Sequence, residues 1–117
     1  LNSENEFLYA DIGRAKNKTG DHKGAIIDLK KAMKVTPNKS ILYLHSGQSR
    51  HLLGDHQGSI KDYSKAIELS PESGYSYYSR AFAYFNQNDT KKGCKDLEKA
   101  SKYRFDTSKE LEKYCQS

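Results

Sequence analysis

The chain has 117 residues, a hydrophobic fraction of 35% and a net charge of +5 from 20 Lys+Arg against 15 Asp+Glu. That length holds one domain of ordinary size, and a mean hydropathy of −0.94 leaves no run near the ~20 apolar residues of a membrane-spanning helix. Two prolines and eight glycines, beside nine tyrosines and four phenylalanines, exclude collagen-like and Pro/Gly-rich disordered chains, so a folded, water-soluble domain is expected. The chain opens Leu1-Asn2-Ser3 rather than with Met and shows no basic stretch followed by an apolar one, as expected where a targeting signal has been cut away or never existed.

In chain order, Ser3-Glu4-Asn5-Glu6 reads as the start of a first helix. Pro37 and Pro71 lie 34 residues apart, and the same offset pairs Tyr9 with Tyr43 and Tyr77, Asp28 with Asp62 and Asp96, Lys31 with Lys65 and Lys99, and Ala32 with Ala66 and Ala100. The units are 6–39, 40–73 and 74–107, each too short to bury a core alone. In the second unit Ile41, Leu44, Gly47 and Leu52 mark one helix and Gly54-Asp55 a turn. Ile60, Tyr63, Ala66, Ile67 and Leu69 mark a second helix, stopped by Ser70-Pro71. Each unit is thus predicted to be a helical hairpin. Gly13, Gly47 and Ala81 on the first helices, facing Ala25, Ser59 and Gly93 on the second, allow the axes to approach closely.

These residues resemble the tetratricopeptide repeat family over 6–107. The first unit supplies Tyr9, Ile12, Gly13, Lys16, Ala25, Leu29, Ala32 and Pro37 of its pattern, and the second Tyr43, Ser46, Gly47, Arg50, Ser59, Tyr63, Ala66 and Pro71. The third supplies Tyr77, Arg80, Ala81, Tyr84, Gly93, Leu97 and Ala100, with Phe105 in place of proline, a departure expected to matter little in a last unit. The tail, 108–117, resembles the solvating helix that ends such arrays. Thr107-Ser108-Lys109-Glu110 reads as its capping box, with Leu111 and Tyr114 on one face. The resemblance implies one all-α domain over 1–117, a right-handed superhelix of antiparallel helix hairpins.

Little in the chain suggests chemistry. His22 and His56 occupy one repeat position in the inter-helix turn, and His51 and His56 are five apart rather than the four that places two ligands on one helical face. No nucleophile–base pair or phosphate-cradling loop is seen, so no enzyme, metal or cofactor is expected. Asp28, Asp62 and Asp96 each precede a lysine by three residues and read as a solvated face with weak pairs. Basic residues concentrate on the second helices, which in the family form the convex surface. The second unit, at −1, interrupts them between units of +4 and +3, which disfavours nucleic acid.

The resemblance implies a non-catalytic protein-interaction module, scaffold-like in kind, that binds a peptide or helix in the concave groove of the first helices. By repeat position the groove residues are Phe7, Ala10 and Arg14, then Ile41, Leu44, His45, Gln48 and His51, then Tyr75, Tyr78, Ser79, Phe82 and Phe85. Tyr75, Tyr78, Phe82 and Phe85 form an aromatic stripe, either a site for partner anchors or packing against the tail. The alternative from another class is a structural self-association domain using that third-unit helix. The five-residue carboxylate clamp of heat-shock co-chaperone domains is absent, because its positions hold Ala10, Arg14, His45, Tyr75 and Ser79. A partner with apolar or aromatic anchors, and one carboxylate near Arg14, fits better.

Cys94 replaces Ile26 and Ile60 at an inward position, and Cys115 lies late in the tail helix. Two buried thiols and a Cys94–Cys115 bridge are both open at this point; a bridge implies an oxidising compartment, periplasmic or secreted rather than cytoplasmic.

Overall fold

The computed structural model describes the backbone of residues 2–116 and the side chains of residues 8–116. The side chains of the Ser3–Glu6 start signal and of Phe7 lie outside these. Seven helices follow in order: α1 (Asn2–Thr19), α2 (His22–Val35), α3 (Ser40–Leu52), α4 (His56–Leu69), α5 (Gly74–Asn86), α6 (Thr90–Lys102) and α7 (Ser108–Cys115). α1 packs on α2, α3 on α4 and α5 on α6, and these hairpins stack into an all-helical rod 51 Å long and 26 × 19 Å across.

Local chemistry sets each hairpin. Gly20 and Gly54 turn the chain at φ 95° and 84°, a left-handed conformation that costs glycine little. Asn88, at φ 62°, takes the place in the third hairpin. The next residue, Asp21, Asp55 or Asp89, then caps the second helix by accepting from the amide of Gly24, Gly58 or Lys92. The prolines at the ends of the first two hairpins join each to the next, since Tyr43 Oη donates to the Pro37 carbonyl at 2.9 Å and Tyr77 Oη to that of Pro71 at 3.0 Å.

The core runs between hairpins as well as within them. Leu29 and Ala32 of α2 close on Leu42 of α3, and Tyr63 and Ala66 of α4 close with Leu44 of α3 on Ala83 of α5. The glycines act differently from the small-against-small contact expected. A Cβ at Gly47 would lie 2.5 Å from the Tyr63 ring, and one at Gly93 2.4 Å from the Phe85 ring. In the second and third hairpins an aromatic ring fills the space that a side chain would take at a glycine of the partner helix.

The repeated aspartates are not a solvated face. Asp28 and Asp96 are buried, and each of the three reaches across its hairpin to the first helix. Lys16 Nζ lies 2.7 Å from Asp28 Oδ2, and Arg50 Nε 3.1 Å from Asp62 Oδ2, which also accepts from Ser46 Oγ at 2.7 Å. In the third hairpin Tyr84 occupies the position of Lys16 and Arg50, and Arg80, one turn earlier, binds both Asp96 oxygens at 2.7 and 2.8 Å. The i+3 lysines suggested exposure, but the hairpin supplies cations 12 or 16 residues upstream. Burial raises the Asp62 carboxyl pKa despite its bonds from Ser46 and Arg50.

The chain's end also departs from expectation. Phe105 is consequential, because its ring packs 5.5 Å from Tyr75 and 4.6 Å from Tyr78 and covers the start of α5. Thr107 does not form a capping box. Its buried hydroxyl donates to the Leu97 carbonyl at 2.7 Å, and Asp106 instead accepts from the Ser108 amide and hydroxyl. α7 then lies along α6 with the Cys94 and Cys115 sulfurs at disulfide distance and their Cα atoms 5.7 Å apart.

Candidate partner-binding groove

α1, α3 and α5 approach one another along the rod, whereas α2, α4 and α6 do not, so the first helices line its inner side. Where they converge is a cavity of about 470 Å³. Gln48, His51 and Leu52 of α3 form one wall, and Tyr75, Tyr78, Ser79 and Phe82 of α5 the other. Tyr63 of α4 lies at the floor and Asn17 of α1 at the near end.

An aromatic ladder runs along the α5 wall. Tyr75 stacks on Tyr78 at 6.1 Å, and Tyr78 meets Phe82 edge-on at 5.0 Å. Phe82 continues edge-on to Phe85 at 5.8 Å and to Tyr114 of α7 at 5.9 Å. Gln48 Nε2 ties the walls together by donating to Tyr75 Oη at 2.9 Å. Tyr75 and Leu52, 40% and 60% exposed, leave apolar surface at the mouth.

The lining carries no formal charge at neutral pH. Burial, and secondarily the neighbouring His56, lowers the His51 pKa. Burial also lowers that of His45, against a hydrogen bond to Gln48 Oε1 and with Arg14 adding to the effect. Burial pushes the phenols of Tyr63 and Tyr78 up. An unfolded chain therefore protonates these imidazoles first, so stability is full above their ordinary value of 6.5 and declines as the pH falls through it. His51→Gln is expected to flatten the fall in urea midpoint between about pH 7.5 and 5.5, a window set by the ordinary histidine range. The raised Asp62 carboxyl works in the opposite sense at more acid pH, so the variant is read against its parent. An unchanged slope would show that His51 is not the titrating group.

Of the groove residues named from sequence, Gln48, His51, Tyr75, Tyr78, Ser79 and Phe82 meet at the cavity. Leu44 does not, since it is buried in the core beneath. Phe85 lies between Gly93 and the Tyr114 ring, 4.8 Å away, as packing against the tail. Ala10 packs on the first core cluster, and Ile41 is exposed but lies outside the cavity. Arg14 is exposed, beside His45 and paired with Asp11, so no lone guanidinium awaits a carboxylate there. Asn17, which accepts from Ser49 Oγ at 2.6 Å, joins the lining although its place in the sequence marks it only as a polar residue near the end of α1. His56 Nδ1 lies 3.2 Å from His51 Nδ1, and no third metal-ligating side chain joins them among the described residues. No helix among those residues is long and apolar enough to cross a membrane.

Stacked helical hairpins with a groove along the inner helices define a helical-repeat protein. The particular repeat is the tetratricopeptide repeat, and the chain belongs to that family: its profiles match residues 8–39, 47–88 and 74–107. Among solved structures, the first TPR of Spaghetti (RPAP3) bound to HSP90 peptide SRMEEVD is 22% identical, with a TM-score of 0.90 over 96% of this chain and 91% of that one. The Arabidopsis OM64 TPR domain is 21% identical, with a TM-score of 0.91 over 97% and 95%. The first TPR domain of human RPAP3 is 21% identical, with a TM-score of 0.88 over 93% and 88%. At these identities the likeness is one of fold. No curated protein is similar enough to match the chain.

Proposed function

We propose that the chain is a non-catalytic protein-interaction module whose groove takes a peptide or short helix of a partner through apolar or aromatic anchors. The observation that carries this is the uncharged cavity between α3 and α5, floored by Tyr63 and walled by Tyr75, Tyr78 and Phe82. Rigid aromatic surface beside a few amide and hydroxyl groups favours anchor residues. A similar fold holds an HSP90 peptide, but the clamp positions here are Ala10, Arg14, His45, Tyr75 and Ser79. An acidic C-terminal tail would find one cation there, Arg14, already paired with Asp11. With Phe82 and Phe85 packed on Tyr114, and Tyr75 and Tyr78 on Phe105, much of the α5 stripe is engaged within the chain, which favours groove binding over self-association.

Peptides selected from a displayed random library, then measured by calorimetry, test this reading. Expected are sequences with Leu, Phe, Tyr or Trp anchors whose affinity falls at least about tenfold, or 1.4 kcal/mol, on Leu52→Asp, an exposed change that spares the core. The reading fails if Leu52→Asp and Tyr78→Ser both leave affinity unchanged, or if SRMEEVD binds more tightly than the selected peptides.

A further inference from the structure

Pairing the repeated aspartates inside the hairpins changes the charge of the outer face. α2, α4 and α6 carry eleven lysines, and their acidic residues are Asp28, Asp62 and Asp96 with Glu68 and Glu98. The three aspartates point inward and are neutralised by Lys16, Arg50 and Arg80 of the first helices. Two glutamates therefore remain to oppose eleven lysines. In the second hairpin, net negative by sequence, the face narrows to Lys61 and Lys65 but stays basic, because Asp62 and the α4 cap Asp55 both turn to Arg50 and share its guanidinium.

The lysines are in register. Lys31, Lys65 and Lys99 occupy one repeat position, and Lys61 and Lys95 the position one turn before it. Lys31 Nζ lies 5.6 Å from the Tyr9 ring centroid, and Lys65 and Lys61 flank a shallow depression beside Tyr43, the equivalent tyrosine. The glutamates near this row are the exposed Glu68, 3.7 Å from Lys65 in a weak surface pair, and Glu98, which shares a depression with Lys95, Lys99 and Lys102 and is outnumbered there three to one.

We infer that this lysine row on the outer face of α2, α4 and α6 binds an extended, glutamate- or aspartate-rich protein segment. A polyanion is called for by charge complementarity along the rod, since such a face attracts and orients an opposite charge. Three features choose an acidic polypeptide over nucleic acid or a lipid surface. The row is all lysine, hydrated point charges without the fork that grips phosphate, while Arg50 and Arg80 are held by Asp62 and Asp96. The amino ends of α2, α4 and α6, the natural phosphate seats, are closed by their own Asp21, Asp55 and Asp89 carboxylates. Tyr43 and Tyr77, the tyrosines of the later hairpins, are tied to proline carbonyls rather than offered for base stacking. A flexible acidic chain can follow a face that curves away, whereas a flat bilayer meets it along a line.

The test is fluorescence anisotropy with a labelled glutamate-rich peptide of about 20 residues at low and physiological salt, beside duplex DNA of equal charge and vesicles of phosphatidylcholine with phosphatidylserine. Expected is salt-sensitive peptide binding that weakens at least about fivefold in Lys31→Glu, Lys65→Glu, Lys99→Glu. It should persist within about twofold in a control of equal net charge, Lys18→Glu, Arg104→Glu, Lys109→Glu, with helicity checked in both. The groove variant Leu52→Asp should leave it unchanged, which separates this site from the one proposed above. Equal loss in both triple variants would reduce the effect to net charge and overturn the assignment. So would tighter binding of DNA or vesicles than of the peptide, or no peptide binding at low salt.

Discussion

Asp96→Ala is expected to destabilise the domain by about 3–5 kcal/mol, seen as a lower urea midpoint at an unchanged slope. Asp96 and Arg80 expose only 6% and 18% of their side chains, and two parallel hydrogen bonds join them. Removing the carboxylate leaves a guanidinium that has lost its water and its anionic partner, with Ser64 Oγ at 3.1 Å and the rings of Tyr77 and Tyr84 as its remaining neighbours. The cost comes from that stranded charge rather than from the pair's net worth. Arg80→Met with Asp96→Leu should therefore recover most of the loss, because apolar residues of similar volume remove both charges together. A double variant as unstable as Asp96→Ala, or a single variant costing under about 1 kcal/mol, would contradict this account. Asp28→Ala should cost less, since Lys16 has 39% of its side chain in solvent and rehydrates readily.

Reduction of a Cys94–Cys115 bridge is expected to cost about 3 kcal/mol, the chain-entropy value for closing a loop of this length. The loss should fall first on α7. This helix has eight residues and buries none of them fully, well short of the about 12 needed for a helix to persist alone in water. Besides the sulfurs it is held by the Tyr114 ring on Phe85 and, at its start, by Thr107 on Leu97. Amide exchange should show residues 108–115 losing protection on reduction while α3 and α4 keep theirs. Equal protection in both states would refute the anchoring role, and intact mass showing two free thiols in air-exposed protein would refute the bridge itself.

The 34-residue period and the helical hairpins were legible because local rules set them. Gly54-Asp55 turns and caps within four residues, and Ser70-Pro71 ends α4 without help from elsewhere. The groove was only partly legible. Tyr75, Tyr78 and Phe82 lie on the face the repeat position implies. Leu44, equally apolar on the inner helix α3, went to the core because the angle between hairpins brings Ala83 over it. Phe85 was drawn away by the absence of a side chain at Gly93, and Asn17 entered because α1 approaches α3.

By itself, then, the amino-acid sequence determined the repeat, the helices and the class of protein, all of which depend on spacings of a few residues and on turn chemistry. Tertiary structure alone decided which aromatic rings face the groove and which pack on glycine or α7. It also decided that Asp28, Asp62 and Asp96 meet cations from the preceding helix rather than the lysines three residues on. The reason is physical: a charge or a ring takes the partner that burial brings within a few ångströms, and sequence distance does not encode that separation.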